Sequence, residues 1–163
     1  MAFVADGPTL DTDRLSLRPP RLDDLRWSYD RIGSDPRVAW DGEASTIMES
    51  LKGLENRIAH WREHGFGMWV VIEKASGESL GFAGLVMLKG TDEVQVGYYL
   101  GRSAWGKGYA TEAGRASMRY GFMELGLSRV VAVVRPENVA SQQVLAKLGL
   151  RYVRDEEHYD LMT

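Results

Sequence analysis

A chain of 163 residues can bury the core of one ordinary domain without disulfides or metal ions. Hydrophobic residues at 44% and charged residues at 26% are typical of a globular protein, and no apolar run has the length of a membrane span. The absence of cysteine excludes disulfides and thiolate chemistry, and a formal net charge of −3 argues against nucleic acid as the main partner. We expect no membrane partner and, because the start MAFVADGPTL lacks a signal-peptide pattern, a cytoplasmic location.

The first part of the chain predicts one strand and then two helices. The fold is expected to begin near Thr12, and residues 14–18 alternate polar and apolar side chains as a half-buried strand does. Apolar residues at helical spacing predict a first helix over residues 22–32. A second helix, capped by Ser45 or Thr46, is expected to end at the glycine that follows its apolar face.

The middle of the chain has the patterns of strands. Residues 68–73, 80–88 and 94–100 are rich in β-branched and aromatic side chains, and turn sequences separate them. Three consecutive antiparallel strands are the simplest interpretation.

The last third of the chain alternates helices with extended segments. Residues 111–125 and 139–148 predict helices, each ended by a glycine. Between them, VVAVV at residues 130–134 predicts a fully buried strand. Residues 150–154 and 159–162 are expected to be extended. The order of elements, without repeats or linkers, indicates one layered α+β domain.

The turn YYLGRSAWGKGYAT, over residues 98–111, is the most informative stretch. Here an apolar strand runs into a glycine-containing turn and directly into a helix, with Thr111 expected near the helix cap. Gly106 and Gly108 permit close backbone approach, and the free amides and dipole of a helix start favour an anion. A phosphate group is therefore the predicted ligand, with Lys107 placed to add charge at its edge.

Three interpretations of this turn are open. The glycines can simply form a tight turn. Gly101, Gly106 and Lys107 also match the GxxxxGK pattern of a nucleotide-hydrolase loop, but Gly108 replaces the hydroxyl residue that binds Mg²⁺. The third interpretation is binding of coenzyme A.

Four blocks of sequence resemble the GNAT superfamily of acyl-CoA N-acyltransferases, in its RimJ/RimL-like branch. In the family's order they are TDRLSLRPPRLDD, GFGMWVVIEKASGESLGFAGL, VGYYLGRSAWGKGYATEA and RVVAVVRPENVASQQVLAKLGL. The resemblance implies a single GNAT-like domain over residues 1–163, an α+β three-layer fold with a mixed, mostly antiparallel sheet of six to seven strands and about four helices. It also implies acetyl-CoA as co-substrate, no metal, an amine acceptor that is a small molecule or a protein N-terminus, and a homodimer as one of the open oligomeric states.

The same resemblance assigns the cofactor site. In the family motif Q/RxxGxG/A, the marked positions fall on Trp105, Gly108 and Ala110, and Trp105 departs from Gln or Arg. We expect this departure to weaken pyrophosphate binding little, because backbone amides supply most of the expected contacts. The implied cofactor-binding residues are Tyr98, Tyr99, Leu100, Trp105, Gly106, Lys107, Gly108, Tyr109, Ala110, Thr111, Asn138 and Ser141.

The resemblance implies direct transfer without a covalent intermediate. Ser141 is the expected proton donor to the sulfur, although Asn138 and Ser141 also suit a helix cap. Gln95 stands where the branch often has an acid, so we name Glu93, on the same strand face, as the stand-in base, with Gln95 orienting a water. Leu145 replaces the tyrosine acid that is frequent in the superfamily.

The sequence also leaves other interpretations open. His60 and His64 in HWREH match a zinc-peptidase pattern by letters, without a visible third ligand. A GNAT-like module that binds acyl-CoA without catalysis is the alternative of a different class, because the usual base is missing. One or two aromatic residues are expected at an acceptor pocket, from the set Trp27, Trp40, Trp61, Trp69 and Tyr98.

Overall fold

The computed structural model describes residues 6–158 and 161–162. Its centre is a five-stranded antiparallel sheet in which the strands are neighbours in chain order. The strands are β1 (Leu10–Asp11), β2 (Leu15–Arg18), β3 (Met68–Glu73), β4 (Ser79–Met87) and β5 (Val94–Leu100). The three predicted consecutive strands are confirmed, and the ordered fold begins slightly before Thr12.

Four α-helices accompany the sheet: α1 (Leu25–Ser28), α2 (Ile47–His64), α3 (Tyr109–Met123) and α4 (Val139–Lys147). The cap predicted for α2 is confirmed, because the Thr46 hydroxyl accepts from the Glu49 amide and the Glu49 carboxylate accepts from the Thr46 amide. Gly65 ends α2 with a φ of 73°. Within the described residues, no helix is both long enough and apolar enough to cross a membrane.

The prediction of one regular helix over residues 22–32 is wrong. A 3₁₀ turn (Leu22–Asp24), the single turn of α1 and a π turn (Tyr29–Gly33) replace one continuous helix. The buried carboxylate of Asp24 accepts hydrogen bonds from Arg18, from the Arg21 amide and from the Trp27 indole. These bonds hold the first turn against β2, and tertiary contact therefore overrides simple helical spacing.

The helices lie on the two faces of the sheet. Phe82 of β4 points to one face, where its ring centroid lies 5.1 Å from that of Trp27 in α1. Leu85 points to the other face, against α3, so closely that a Cβ atom on Gly121 would lie 2.8 Å from the Leu85 Cδ1 atom. The result is the three-layer α+β arrangement that was expected.

The strand predicted at residues 130–134 is the main correction to the fold. Val131 alone pairs with β5, in parallel, through a Val96 amide to Val131 oxygen bond of 2.9 Å and a Val131 amide to Val94 oxygen bond of 3.0 Å. Beyond Val131 the segment separates from β5, so it forms no ladder and is only half-buried.

The C-terminal extended segments also differ from expectation. Residues 150–154 form no strand, whereas β6 (Glu157–His158) pairs antiparallel with β7 (Leu161–Met162) in a separate two-stranded sheet. Tyr159 and Asp160, which the last predicted strand included, lie outside the described residues. The described sheet is therefore smaller than the six to seven strands expected.

His60 connects α2 to the end of β4, on the side that β3 does not reach. Strand β4 extends past the start of β3, where Met68 pairs with Gly84, so the Met87 amide has no partner in β3. This amide donates to Nε2 of His60 at 3.1 Å, and Nδ1 of His60 therefore carries the proton that is donated to the Phe66 oxygen at 2.8 Å. Both ring nitrogens are occupied, so the zinc interpretation is wrong for His60. Among the described residues, no group of three potential ligands could hold a metal ion.

We expect His60 to make the protein less stable at acid pH. Burial, the largest effect on this group, lowers the pKa of His60 below its usual 6.5. As the pH falls below about 6.5, the unfolded chain binds a proton that the folded chain does not, so the free energy of unfolding decreases by about 1.4 kcal/mol per unit of pKa difference. Urea unfolding at pH 5.5 and 7.5 measures this effect. H60N should lower the stability at pH 7.5 and weaken its pH dependence, whereas H64N should keep the wild-type dependence; an unchanged dependence in H60N contradicts the assignment.

Candidate functional site

A cavity of about 1250 Å³ opens where β5 separates from the segment that follows Val131. We call the gap between residues 97–100 and residues 132–135 the wedge. Strand β5, the start of α4 and the turn before α3 line one part of the cavity. Helix α2 and the loop of residues 36–42 line the other part. The wedge thus connects two compartments of the cavity, which are lined by different elements of the fold.

The geometry of β5 exposes backbone groups in the wedge. The Val96 amide points towards Val131, and the Gly101 amide points the opposite way, towards the Leu80 oxygen. Because successive peptide groups in a strand alternate in direction, the Tyr98 amide and the Val96 oxygen point into the wedge. The strand therefore offers a donor and an acceptor to an extended ligand.

The side chains of β5 alternate between the two faces of the sheet. Tyr99 pairs with Phe82 and shares its face, towards α1 and α2, whereas Tyr98 pairs with Ala83 and faces α4. Because side chains alternate along a strand, Gln95 and Gly97 face the same side of the sheet as Tyr99. A molecule in the wedge can therefore be reached from the α2 side past Gly97, which has no side chain.

The turn before α3 has the form of an anion site. Its predicted helix start at Thr111 is wrong by two residues, because Gly108, with a φ of 80°, is the N-cap and α3 begins at Tyr109. No side chain caps this helix, so the amides of its first turn are left for a ligand. Trp105 stabilises the turn through its indole nitrogen, which donates to the Leu100 oxygen at 2.7 Å.

The side chains around this turn are less involved than the backbone. Lys107 is exposed and does not line the cavity, although its carbonyl oxygen accepts from Arg14 at 2.8 Å. The buried hydroxyl of Tyr109 donates to Glu73, and this hydrogen bond, with burial, raises the pKa of Tyr109. Tyr109 can therefore offer a ligand its amide and not its phenol. The contribution of Arg14 was missed, since its strand position gives no sign that it reaches the turn.

Ser141 and Tyr98 form a pair of hydroxyl groups in the cavity. Their oxygen atoms lie 2.7 Å apart, and the Tyr98 hydroxyl also lies 3.2 Å from the Ser141 carbonyl oxygen, to which it can donate. Burial raises the pKa of Tyr98, which outweighs the opposing effect of the Ser141 bond. Tyr98 thus remains a neutral phenol. Asn138 caps α4, because its side-chain oxygen accepts from the Ser141 amide at 3.0 Å. This is the helix-cap role that its sequence position also suggested.

The structure brings Gln95 to the cavity and leaves Glu93 outside it. Gln95 is buried and lines the cavity at the opening of the wedge. Glu93 does not line the cavity and forms an ion pair with Arg129. Of the described residues that line the cavity, only Glu137 carries a carboxylate, and it pairs with Arg135 at 2.9 Å.

The aromatic residues separate into core and cavity. Trp61 and Trp69 are buried in the core, and Trp27 packs on Phe82. Trp40 and Tyr98 line the cavity, and Tyr98 does so on the α4 face.

Comparisons with known proteins agree with this geometry. The family model described as an acetyltransferase (GNAT) domain matches residues 14–151. The Bacillus subtilis protein YkkB is 33% identical over 153 residues, which cover 88% of this chain and 85% of YkkB.

Solved structures share the fold. An acetyltransferase from Agrobacterium tumefaciens is 29% identical with a TM-score of 0.80, over 88% of this chain and 84% of that one. RimL, a ribosomal L7/L12 alpha-N-protein acetyltransferase solved with coenzyme A, is 16% identical with a TM-score of 0.77, over 94% and 92% of the two chains. The nucleotide-hydrolase interpretation of the turn is therefore wrong. The chain belongs to the GNAT family of acetyltransferases, which use acetyl-CoA as donor.

Proposed function

We propose that the protein transfers an acetyl group from acetyl-CoA to a primary amine, on a small molecule or a protein N-terminus, within a ternary complex. The amine nitrogen attacks the thioester carbonyl, the carbon–sulfur bond breaks, the nitrogen loses a proton and the sulfur gains one. The observation that carries this proposal is the wedge, which joins an anion site at the start of α3 to an acceptor compartment beside α2.

The cofactor's two polar regions have separate partners in this proposal. The pyrophosphate binds the backbone amides between Gly106 and Thr111, where the helix dipole favours negative charge. The pantetheine arm lies in the wedge and donates a hydrogen bond to the Val96 oxygen, which leaves the Tyr98 amide for the thioester. Trp105, which stands in place of the Gln or Arg of the family motif, supports the turn through the bond from its indole to the Leu100 oxygen.

A negative charge in the first turn of α3 should weaken cofactor binding without weakening the fold. We expect T111E to raise the Kd for coenzyme A about tenfold or more by Coulomb repulsion of the pyrophosphate. The isosteric T111Q serves as the matched control and should bind several-fold better than T111E. The acid should leave the thermal stability unchanged or raise it, since an anion favours a helix N-terminus. Titration calorimetry gives the Kd, and equal values for T111E and T111Q would place the pyrophosphate elsewhere.

The hydroxyl pair supplies the proton that the departing sulfur needs. Ser141 stands beside the wedge, and the neutral phenol of Tyr98 can replace the proton that Ser141 gives up over their 2.7 Å bond. In the reaction the Tyr98 amide is the group that can polarise the thioester carbonyl, since it points into the wedge.

Removing either hydroxyl should slow turnover more than it weakens binding. We expect S141A to lower kcat about a hundredfold, the lower range of general acid catalysis, with a smaller loss in Y98F. The KM for acetyl-CoA should change little in either variant. Thiol release measured at saturating acetyl-CoA tests this, and a kcat near that of the wild type in both variants would remove the pair from the mechanism.

Among the described residues, the cavity has no group suited to take the proton from a charged amine. Glu93 is outside it, Glu137 is paired with Arg135, and both nitrogens of His60 are occupied. Gln95 can orient a water but cannot accept a proton at neutral pH. We therefore propose that the acceptor reacts as the neutral amine, which loses its proton to water during transfer.

This proposal predicts a pH profile set by the acceptor. Below the pKa of the amine, kcat/KM should rise about tenfold per pH unit, because only the neutral fraction reacts. With two acceptors of different pKa, the inflection should move with the amine, and E93Q should leave the profile unchanged. An inflection at the same pH for both amines would instead reveal a base on the enzyme.

A further inference from the structure

Arg57 lines the cavity on the α2 side, and among the described residues this cation has no counterion. The guanidinium carbon lies 4.4 Å from the ring centroid of Phe82 and 5.8 Å from that of Tyr99. Its Nε atom is buried without a hydrogen-bond partner, and no carboxylate among the described residues forms an ion pair with Arg57. Burial lowers the pKa of Arg57, but a guanidinium stays charged at physiological pH.

The other arginines that line the cavity are differently placed. Arg37 pairs with Asp35 at 2.8 Å, and Arg135 pairs with Glu137 at 2.9 Å. Arg57 is half-buried, but a guanidinium whose buried Nε has no hydrogen-bond partner still destabilises a fold, and the contact with Phe82 offsets only part of that cost. Arg57 therefore has the character of a group held ready for an anion that arrives with a ligand.

Helix α2 is built to hold this guanidinium. Gly53 lies one turn before Arg57, and a Cβ atom at Gly53 would lie 3.3 Å from Nη1 of Arg57. A glycine inside a helix weakens it, so its presence here needs a reason. The missing side chain lets the guanidinium fold back along the helix and lie over the Phe82 ring.

The position of Arg57 separates its ligand from the phosphates of the cofactor. Arg57 contacts Phe82 and Tyr99, which face α2, whereas α3, whose first turn holds the pyrophosphate site, packs on the opposite face against Leu85. An anion at Arg57 is therefore part of the acceptor.

We infer that the acceptor of this enzyme is a small amine that also carries an oxyanion, a carboxylate or a phosphate, which binds Arg57. This inference rests on the proposed acetyl transfer and adds the chemical class of the substrate. The planar guanidinium suits a two-pronged oxyanion, and its contact with the ligand also positions the amine at the Gly97 opening of the wedge.

The test uses matched pairs of amines on the full chain. Amino acids are compared with their carboxamides, and phosphoethanolamine with ethanolamine, at a pH above each amine's pKa, by thiol release from acetyl-CoA. We expect one kind of anionic amine to exceed its neutral partner at least tenfold in kcat/KM, which also distinguishes carboxylate from phosphate. R57M, which keeps the aliphatic length, should reduce that ratio at least tenfold. K52M removes an exposed positive charge from the same helix and should keep the ratio.

If no amine in the panel is acetylated, that result counts against the proposed function. A binding measurement then still tests the inference about Arg57. N-acetylated amino acids or inorganic phosphate, added with coenzyme A, should raise the Tm of the wild type and of K52M but not of R57M. Without a bound anion, R57M should unfold at the wild-type temperature or above it, because an unpaired buried charge has been removed. Equal activity on anionic and neutral amines, together with no anion-dependent rise in Tm, overturns the inference.

Discussion

The structure depends on one constraint, the restriction of parallel pairing between β5 and the next segment to Val131. If the ladder continued, the Val96 oxygen and the Tyr98 amide would be satisfied within the sheet and no wedge would form. Because it stops, a donor and an acceptor of β5 point into open space, and the chain needs a ligand to complete them. The sheet is continuous on the β4 side, so pairing with β4 fixes the position of the β5 wall of the wedge.

The helices that surround the cavity show the same division between satisfied and unsatisfied groups. Thr46 caps α2 and Asn138 caps α4, each with its own side chain, whereas Gly108 gives α3 no side-chain cap. Arg57 repeats the pattern with a charged group, since it lacks the carboxylate that its neighbours Arg37 and Arg135 possess. The uncapped start of α3 and Arg57 both face the cavity, where unsatisfied groups lower the stability of the fold but can bind a ligand.

The sequence was a good guide where a local pattern decides the structure. Periodicity and end signals placed α2 and strands β3 to β5, and the glycine turn that leads into α3. It failed where distant contacts decide. VVAVV has the composition of a buried strand, but its pairing depends on the path of β5. Glu93 shares a strand face with Gln95, yet Arg129 holds it outside the cavity. Arg57 lies between core positions of α2, and nothing local shows that it lacks a carboxylate.

The unpaired edge of β5 has a consequence beyond catalysis. Exposed strand edges are templates on which a second polypeptide can add a strand, and proteins ordinarily cover or interrupt them. Under the proposed function, the acetyl donor covers this edge whenever it occupies the wedge. The free enzyme would then leave the Val96 oxygen and the Tyr98 amide uncovered, and bound donor would keep them out of reach of a second chain.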